Sequence, residues 1–246
     1  RPKSGKVRLD QLLLQRGLAE SREKAKAIIM AGQIETNGVM VDKPGSLIPT
    51  SASISLKKPS CSYSSRGGIK LEAALKHFQV DVDGLVLLDV GASTGGFTDC
   101  LLQHGAGRVI AVDVGYGQLD WKLRQDSRVD VLEKTNIRYL KPEDLKEPIH
   151  GAVIDVSFIS LRLVVPPVSE LLEKHTFIIA LIKPQFEVGK GKVGKGGVVR
   201  DSELHNEVID RLTTFFKDSG WDVQGHTPSP LLGPKGNREF LIYLIK

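Results

Sequence analysis

The sequence predicts an α/β protein: a Rossmann-like sheet of seven mostly parallel strands, preceded by a small α+β domain. Three observations lead there. From about residue 66, short apolar runs alternate with stretches of helical periodicity, the pattern of a parallel sheet covered on both faces. Within that region LVLLDVGASTGGFTDCLL reads as strand, glycine turn and helix. The first 58 residues follow a different pattern, two short helices and then a hairpin. A chain of 246 residues has room for one large domain and one small one.

The elements follow in order. Leu9, Leu12 and Leu13 recur at helical spacing, and Gly17 stops that helix. Ser21 is placed to N-cap a second helix, with Glu23 in its first turn, Ala25, Ile28 and Ile29 on one face, and Gly32 beyond its end. QIETNGVMVD contains Asn37-Gly38, the dipeptide that a type I′ hairpin turn requires, and SISLKK supplies a last short strand. PSCSYSS has linker composition, so the expected boundaries are 1–58, 59–65 and 66–246. In the large domain a helix is expected over 68–78. Strands fall near 85–90, 109–114, 129–133, 151–156, 176–183, 222–227 and 239–245, with helices near 96–104, 117–125, 160–174 and 202–218. The last strand follows its predecessor through the short PSPLLGPKGN connection, which favours an antiparallel neighbour.

Composition narrows the function. With 41% hydrophobic and 26% charged residues the chain is globular in type. Its net charge of +5 is unevenly placed. Residues 1–58 carry eleven Lys/Arg against five Asp/Glu, and the remainder twenty-three against twenty-four, so the N-terminal segment calls for an anionic partner. Cys61 and Cys100 match neither a disulfide framework nor a metal site, which suits a reduced, cytoplasmic protein with no metal. No signal-peptide core follows RPKSGKVR, and runs such as FIIALI are far short of the roughly 20 residues that span a bilayer, so no membrane is expected as a partner.

The glycine turn has the form G-x-x-x-G-G, in Gly91, Gly95 and Gly96, and not the dinucleotide form G-x-G-x-x-G. A dinucleotide brings a pyrophosphate that must lie against backbone N–H groups. S-adenosylmethionine has no phosphate and needs only a close, polar turn. Asp113 closes the second strand 22 residues after Gly91, where a carboxylate accepts from both ribose hydroxyls. Gly91, Ala92, Ser93, Thr94, Gly95, Gly96 and Asp113 are therefore candidates to hold S-adenosylmethionine. Phe97 either packs on the cofactor or joins the core. Asn136, after the third strand, is placed for an adenine contact and equally for capping local backbone.

Four polar residues mark one rim of the sheet. Asp155 and Lys183 each close an apolar run, and Glu239 opens the last one. Carboxyl ends of parallel strands line one edge, and an antiparallel last strand begins there too. Lys70 lies on the helix before the first strand. Residues up to 169 positions apart thus converge, in a pattern suited to methyl transfer onto a nucleic-acid hydroxyl.

Two resemblances extend this. Arg8-Leu9-Asp10, Leu12-Leu13, Ser21-Arg22, Ala25, Ile29, Gly32 and Asn37-Gly38 resemble the small RNA-binding domain of ribosomal protein S4, which implies RNA contacts for Arg8, Arg22 and Lys26. SRGGIKLEAAL, DVGASTGGFTD, DVSFISL, LIKPQFEVGK and GNREFLIYL resemble the FtsJ-like ribose 2′-O-methyltransferases, and Lys70, Asp155, Lys183 and Glu239 match their K-D-K-E tetrad. The combination is similar to the TlyA family, called haemolysins, which methylate ribosomal RNA at cytidine 2′-hydroxyls. The resemblance implies S-adenosylmethionine as cofactor, ribosomal RNA or ribosomal subunits as partner, and the tetrad as catalytic, with Asp155 also near the cofactor. A ribose 2′-hydroxyl must lose its proton as it attacks, and Lys183 is the group expected to orient or deprotonate it.

EVGKGKVGKGGVVR, at 187–200, carries Lys190, Lys192, Lys195 and Arg200 and is either a loop that orders on RNA phosphates or a plain surface loop. Arg66 is a further RNA-contact candidate. Two other functions remain open here. A non-catalytic RNA-binding factor with a vestigial fold is one, and a cofactor-binding assay separates it. A pore-forming protein is the other, and nothing in the chain is long or amphipathic enough to favour it.

Overall fold

The computed structural model describes residues 5–30, 32–56, 62–189 and 191–246. Lys57 and Lys58 of the expected last N-terminal strand, the linker residues 59–61 with Cys61, and Lys190 lie outside them. The chain divides into two compact units, Arg1–Ser65 and Arg66–Lys246.

The first unit runs β1 (Lys6–Arg8), α1 (Leu9–Gln15), α2 (Arg22–Met30), β2 (Ile34–Thr36), β3 (Val39–Met40), β4 (Leu47–Pro49) and β5 (Ile54–Leu56). The apolar faces of α1 and α2 meet in a core of Leu9, Leu12, Leu13, Ala25 and Ile29, closed by Ile34, Ile48 and Ala52. Ser21 Oγ accepts from Lys24 N at 3.1 Å, the expected cap. Asn37 and Gly38 have φ of 50° and 78°, the left-handed pair that a type I′ turn needs. The Asn37 side chain then accepts from Ser53 N at 2.9 Å, tying the β2–β3 hairpin to β5. The antiparallel β1–β4 pair has no counterpart among the expected strands. Three-residue strands are too short to show a period.

The second unit runs α3 (Gly67–Phe78), β6 (Val86–Val90), α4 (Gly96–Gln103), β7 (Arg108–Val112), α5 (Trp121–Gln125), β8 (Val129–Leu132), β9 (Ile149–Ile154), α6 (Val165–Glu170), β10 (Leu172–Ile182), α7 (Pro184–Glu187), α8 (Ser202–Asp218), β11 (Asp222–Pro228) and β12 (Phe240–Ile245). Seven strands form one sheet in the order β11-β12-β10-β9-β6-β7-β8. β12 lies between β10 and β11 and is antiparallel to both, as the short connection required. The chain leaves β6 toward β7 on one side and β9 on the other, so a crevice opens at the carboxyl ends of these strands. The central strands are buried on both faces, with Leu87, Leu88, Ala152, Ile154, Ile178 and Ile182 wholly inaccessible, which is why they read as continuous apolar runs.

Two helices differ from expectation. The single helix over 160–174 is a short 3₁₀ turn, Leu161–Leu163, then α6, and β10 already begins at Leu172. Pro166 and Pro167 lack an N–H to donate and are accommodated only in a first helical turn, so the helix starts at Val165. The helix over 117–125 shrinks to α5 because Asp120 caps it, accepting from Lys122 N at 2.9 Å. Among the described residues no helix is long and apolar enough to cross a membrane.

Candidate active site

The glycine turn follows β6 in the crevice. Gly91 has φ 88°, and a Cβ there would lie 2.6 Å from the Asp155 backbone oxygen, so both conformation and space demand glycine. Asp113, just past β7, accepts from Ser93 N at 2.8 Å and from Gly115 N at 2.6 Å. These bonds fix the carboxylate while leaving lone pairs for hydroxyls. A cleft of about 460 Å³ opens here, lined by Gly91, Ser93, Asp113, Asn136 and Asp155 of the expected residues. Ala92, Thr94, Gly95, Gly96 and Phe97 are not among its lining residues. Phe97 is buried in α4, which favours the core reading of that ring. Asn136 lines the cleft and caps the turn Ile137–Tyr139, accepting from Arg138 N at 3.1 Å.

Beneath the turn lies a residue absent from the expected set. Asp89 is wholly buried; Thr98 Oγ1 donates to its Oδ2 at 2.6 Å, and its Oδ1 has no hydrogen-bond partner. Burial pushes this carboxyl up to about 7, against the Thr98 hydrogen bond and with help from the Asp155 and Asp113 charges. A carboxylate inside the apolar run LVLLDV was the available signal. The donor set suits S-adenosylmethionine. Asp113 is free to accept ribose hydroxyl bonds, the Asp155 carboxylate beside it suits a cationic ligand, and Asp89 Oδ1 has no hydrogen-bond partner.

The four rim residues come together as two ion pairs. Ile182 pairs with Phe240 in the β10–β12 ladder, so Lys183 and Glu239 are the next residues at that edge. Lys183 Nζ lies 2.6 Å from Asp155 Oδ1, off the angle of a directed hydrogen bond, and donates to Ser157 Oγ at 3.0 Å. Lys70 Nζ donates to Glu239 Oε2 at 2.5 Å. Gly233 is pressed against the same carboxylate: a Cβ there would fall 1.9 Å from Glu239 Oε1, which has no hydrogen-bond partner.

Ser157 and Phe158, which also line the cleft, were missed in the sequence. Phe158 is 89% exposed with φ 65°, a conformation that bulky residues avoid, and its ring lies 4.9 Å from that of Phe186. The loop after α7 is anchored: Val198 and Val199 are buried, and the Asn237 side chain accepts from Val199 N and donates to Gly197 O, each at 3.0 Å. Lys192 pairs with Glu207 at 2.8 Å, whereas Arg200 is exposed. Arg66 is exposed just before α3.

In the first unit Arg8 and Arg22 surround the buried Asp10, at 2.8 Å and 3.4 Å, while Lys26 is half-buried on α2. The Arg8 hydrogen bond holds the Asp10 carboxyl down at about 2, in spite of its burial. Among the described residues no group of three or more His, Cys, Asp or Glu is arranged to hold a metal.

These features have relatives. The FtsJ-like methyltransferase family matches residues 63–246, and the S4 domain matches residues 7–54. YqxC of Bacillus subtilis is 51% identical over 98% of this chain and 86% of its own. The 16S/23S rRNA (cytidine-2′-O)-methyltransferase TlyA of Mycobacterium tuberculosis is 44% identical over 97% of this chain and 90% of its own. A solved structure from Streptococcus thermophilus, provisionally named a hemolysin, superposes with a TM-score of 0.77 at 46% identity, covering 99% of this chain and 90% of that one. The chain belongs to the FtsJ-like methyltransferases, in the TlyA group that carries an S4 domain ahead of the catalytic one.

Proposed function

We propose that this chain transfers a methyl group from S-adenosylmethionine to the 2′-hydroxyl of a cytidine in ribosomal RNA. The observation that carries this is the pairing of Lys183 with Asp155 and of Lys70 with Glu239 on one rim, with Asp155 shared by the cofactor cleft. S-adenosylmethionine, when bound, supplies an electrophilic methyl on a sulfonium. Asp113 takes the ribose hydroxyls of that cofactor, and Gly91 and Ser93 let the backbone approach it. Lys183 holds the reacting 2′-hydroxyl, steadied by Asp155 and Ser157, and the Lys70–Glu239 pair lies beside it on the same rim. Positioning of this kind supplies much of the rate without further chemistry. The exposed Phe158 offers a face on which an unstacked base can lie. Residues 1–58, joined by a linker at 59–65 to a catalytic part at 66–246, grip the RNA through Arg8, Arg22 and Lys26, with Arg66 adding to the grip. Such a protein works where ribosomes are, in the cytoplasm.

Mapping 2′-O-methylation on ribosomal RNA from cells with and without the protein tests this. The expected result is one or more cytidines methylated only in its presence, restored by the purified protein and S-adenosylmethionine. Identical maps would overturn the proposal.

A further inference from the structure

A second cavity, of about 270 Å³, lies at the loop end of the β11–β12 hairpin, apart from the cofactor cleft. Its walls are Pro228, Ser229, Leu232, Arg238, Glu239 and Phe240. Three features give it a chemical character. Arg238 is exposed and, among the described residues, has no ion-pair partner. Glu239 is buried, with one oxygen on Lys70 and the other, Oε1, lacking a donor. Pro228, Leu232 and Phe240 supply apolar wall, and Leu232 is left 55% exposed. The cavity therefore has a cationic end and an apolar side, with the inaccessible Glu239 carboxylate behind its wall.

We infer that this cavity receives the nucleotide that flanks the methylated one, with its phosphate on Arg238 and its sugar toward Glu239. This rests on the proposed function, which places the target ribose at the same Glu239. A carboxylate repels phosphate, so the phosphate lies at the arginine end, where a guanidinium matches it bidentately. The apolar side accepts the face of a sugar or base. The connection is fixed in place: Ser229 N donates to Glu239 O at 2.9 Å and Gly233 N to Asn237 O at 2.8 Å, so the wall of the cavity is held by backbone hydrogen bonds.

Binding of ribosomal subunits to the full-length protein over a series of salt concentrations tests the inference, with methyl transfer measured alongside. Arg238→Ala should weaken binding by about 10-fold and make the log–log salt dependence shallower by about one unit, the loss of one phosphate contact. Arg238→Lys should recover the salt slope. Leu232→Trp, which fills the cavity from an exposed position, should weaken binding with the slope unchanged. Cofactor affinity should stay at the wild-type value in all three, with kcat within about two-fold. Unchanged affinity and slope in Arg238→Ala, or a kcat defect with affinity intact, would overturn it. A wild type that binds subunits but transfers no methyl group counts against the proposed function, and the Arg238 comparison still decides the cavity.

Discussion

In the N-terminal unit a fully buried carboxylate, Asp10, holds Arg8 and Arg22, whose side chains remain 43% and 47% exposed. At the rim of the larger unit the arrangement is inverted: Lys70 and Lys183 are only 11% exposed and are themselves drawn in toward Glu239 and Asp155. The same ion-pair chemistry serves two ends. An arginine fork fastened from behind keeps donors facing outward, which suits phosphate, because Arg has five N–H groups and two suffice for the carboxylate. A lysine pulled inward is a single point charge in a fixed place, which suits one reacting hydroxyl. Under the proposed roles, exposure of the cation, more than presence of an ion pair, is what separates a binding charge from a catalytic one.

The largest expected effect falls on the inward cations. Lys183→Ala should lower kcat by about 10²–10⁴ while leaving cofactor and RNA affinity close to wild type. Lys183→Arg should fail almost as badly, since the planar fork is bulkier and keeps its proton near neutral pH. Near wild-type turnover in Lys183→Ala would reduce the four rim charges to structural ion pairs. Next in size is Asp113→Ala. Two hydroxyl hydrogen bonds to a charged acceptor would be lost, along with the bonds to Ser93 N and Gly115 N that shape the turn. Calorimetry should show S-adenosylmethionine affinity falling by about 10- to 100-fold.

The outward cations should respond differently. Asp10→Asn keeps the shape but removes the charge that fastens both arginines, and the N-terminal unit should lose about 2 kcal/mol of stability. The Asp10 carboxyl sits at about 2 in the folded protein, below its ordinary value, so its contribution is present above about pH 4 and is lost as pH falls toward 2. Denaturation of the wild type followed through that window should show the loss, and Asp10→Asn should show far less of it.

How much of this was legible in the sequence depends on distance along the chain. The sheet was legible because strands buried on both faces, such as Phe177 to Ile182, must be continuously apolar, and the rim was legible because charges end those runs. The hairpin at Asn37-Gly38 was legible because local backbone conformation names its residues. Contacts that depend on the fold were not. Asn237 bonds to Gly197 and Val199, about 40 positions away, and nothing in GNREF announces that. The break at Pro166 and Pro167 was in plain view, but the apolar spacing of 160–174 outweighed it. Phe158 drew no notice because its exposure and its positive φ are properties of the folded loop.

The last prediction turns the comparison between the units into one of sign. Asp89 is as inaccessible as Asp10, yet it faces a hydroxyl and two other carboxylates where Asp10 faces two arginines. Its carboxyl is raised to about 7, so the folded protein binds a proton more tightly than the unfolded chain. Stability from that proton is fully present below the ordinary carboxylate value and is lost as pH rises from about 4 to 7, the reverse of Asp10. Asp89→Asn removes the titration and can still accept from Thr98. Thermal midpoints of the cofactor-free proteins should nearly coincide at the acidic end. They should separate in favour of the variant as pH rises, and run parallel above about pH 7. A gap that is constant across this range would mean that Asp89 keeps one protonation state throughout, and that its burial is offset by something other than a bound proton.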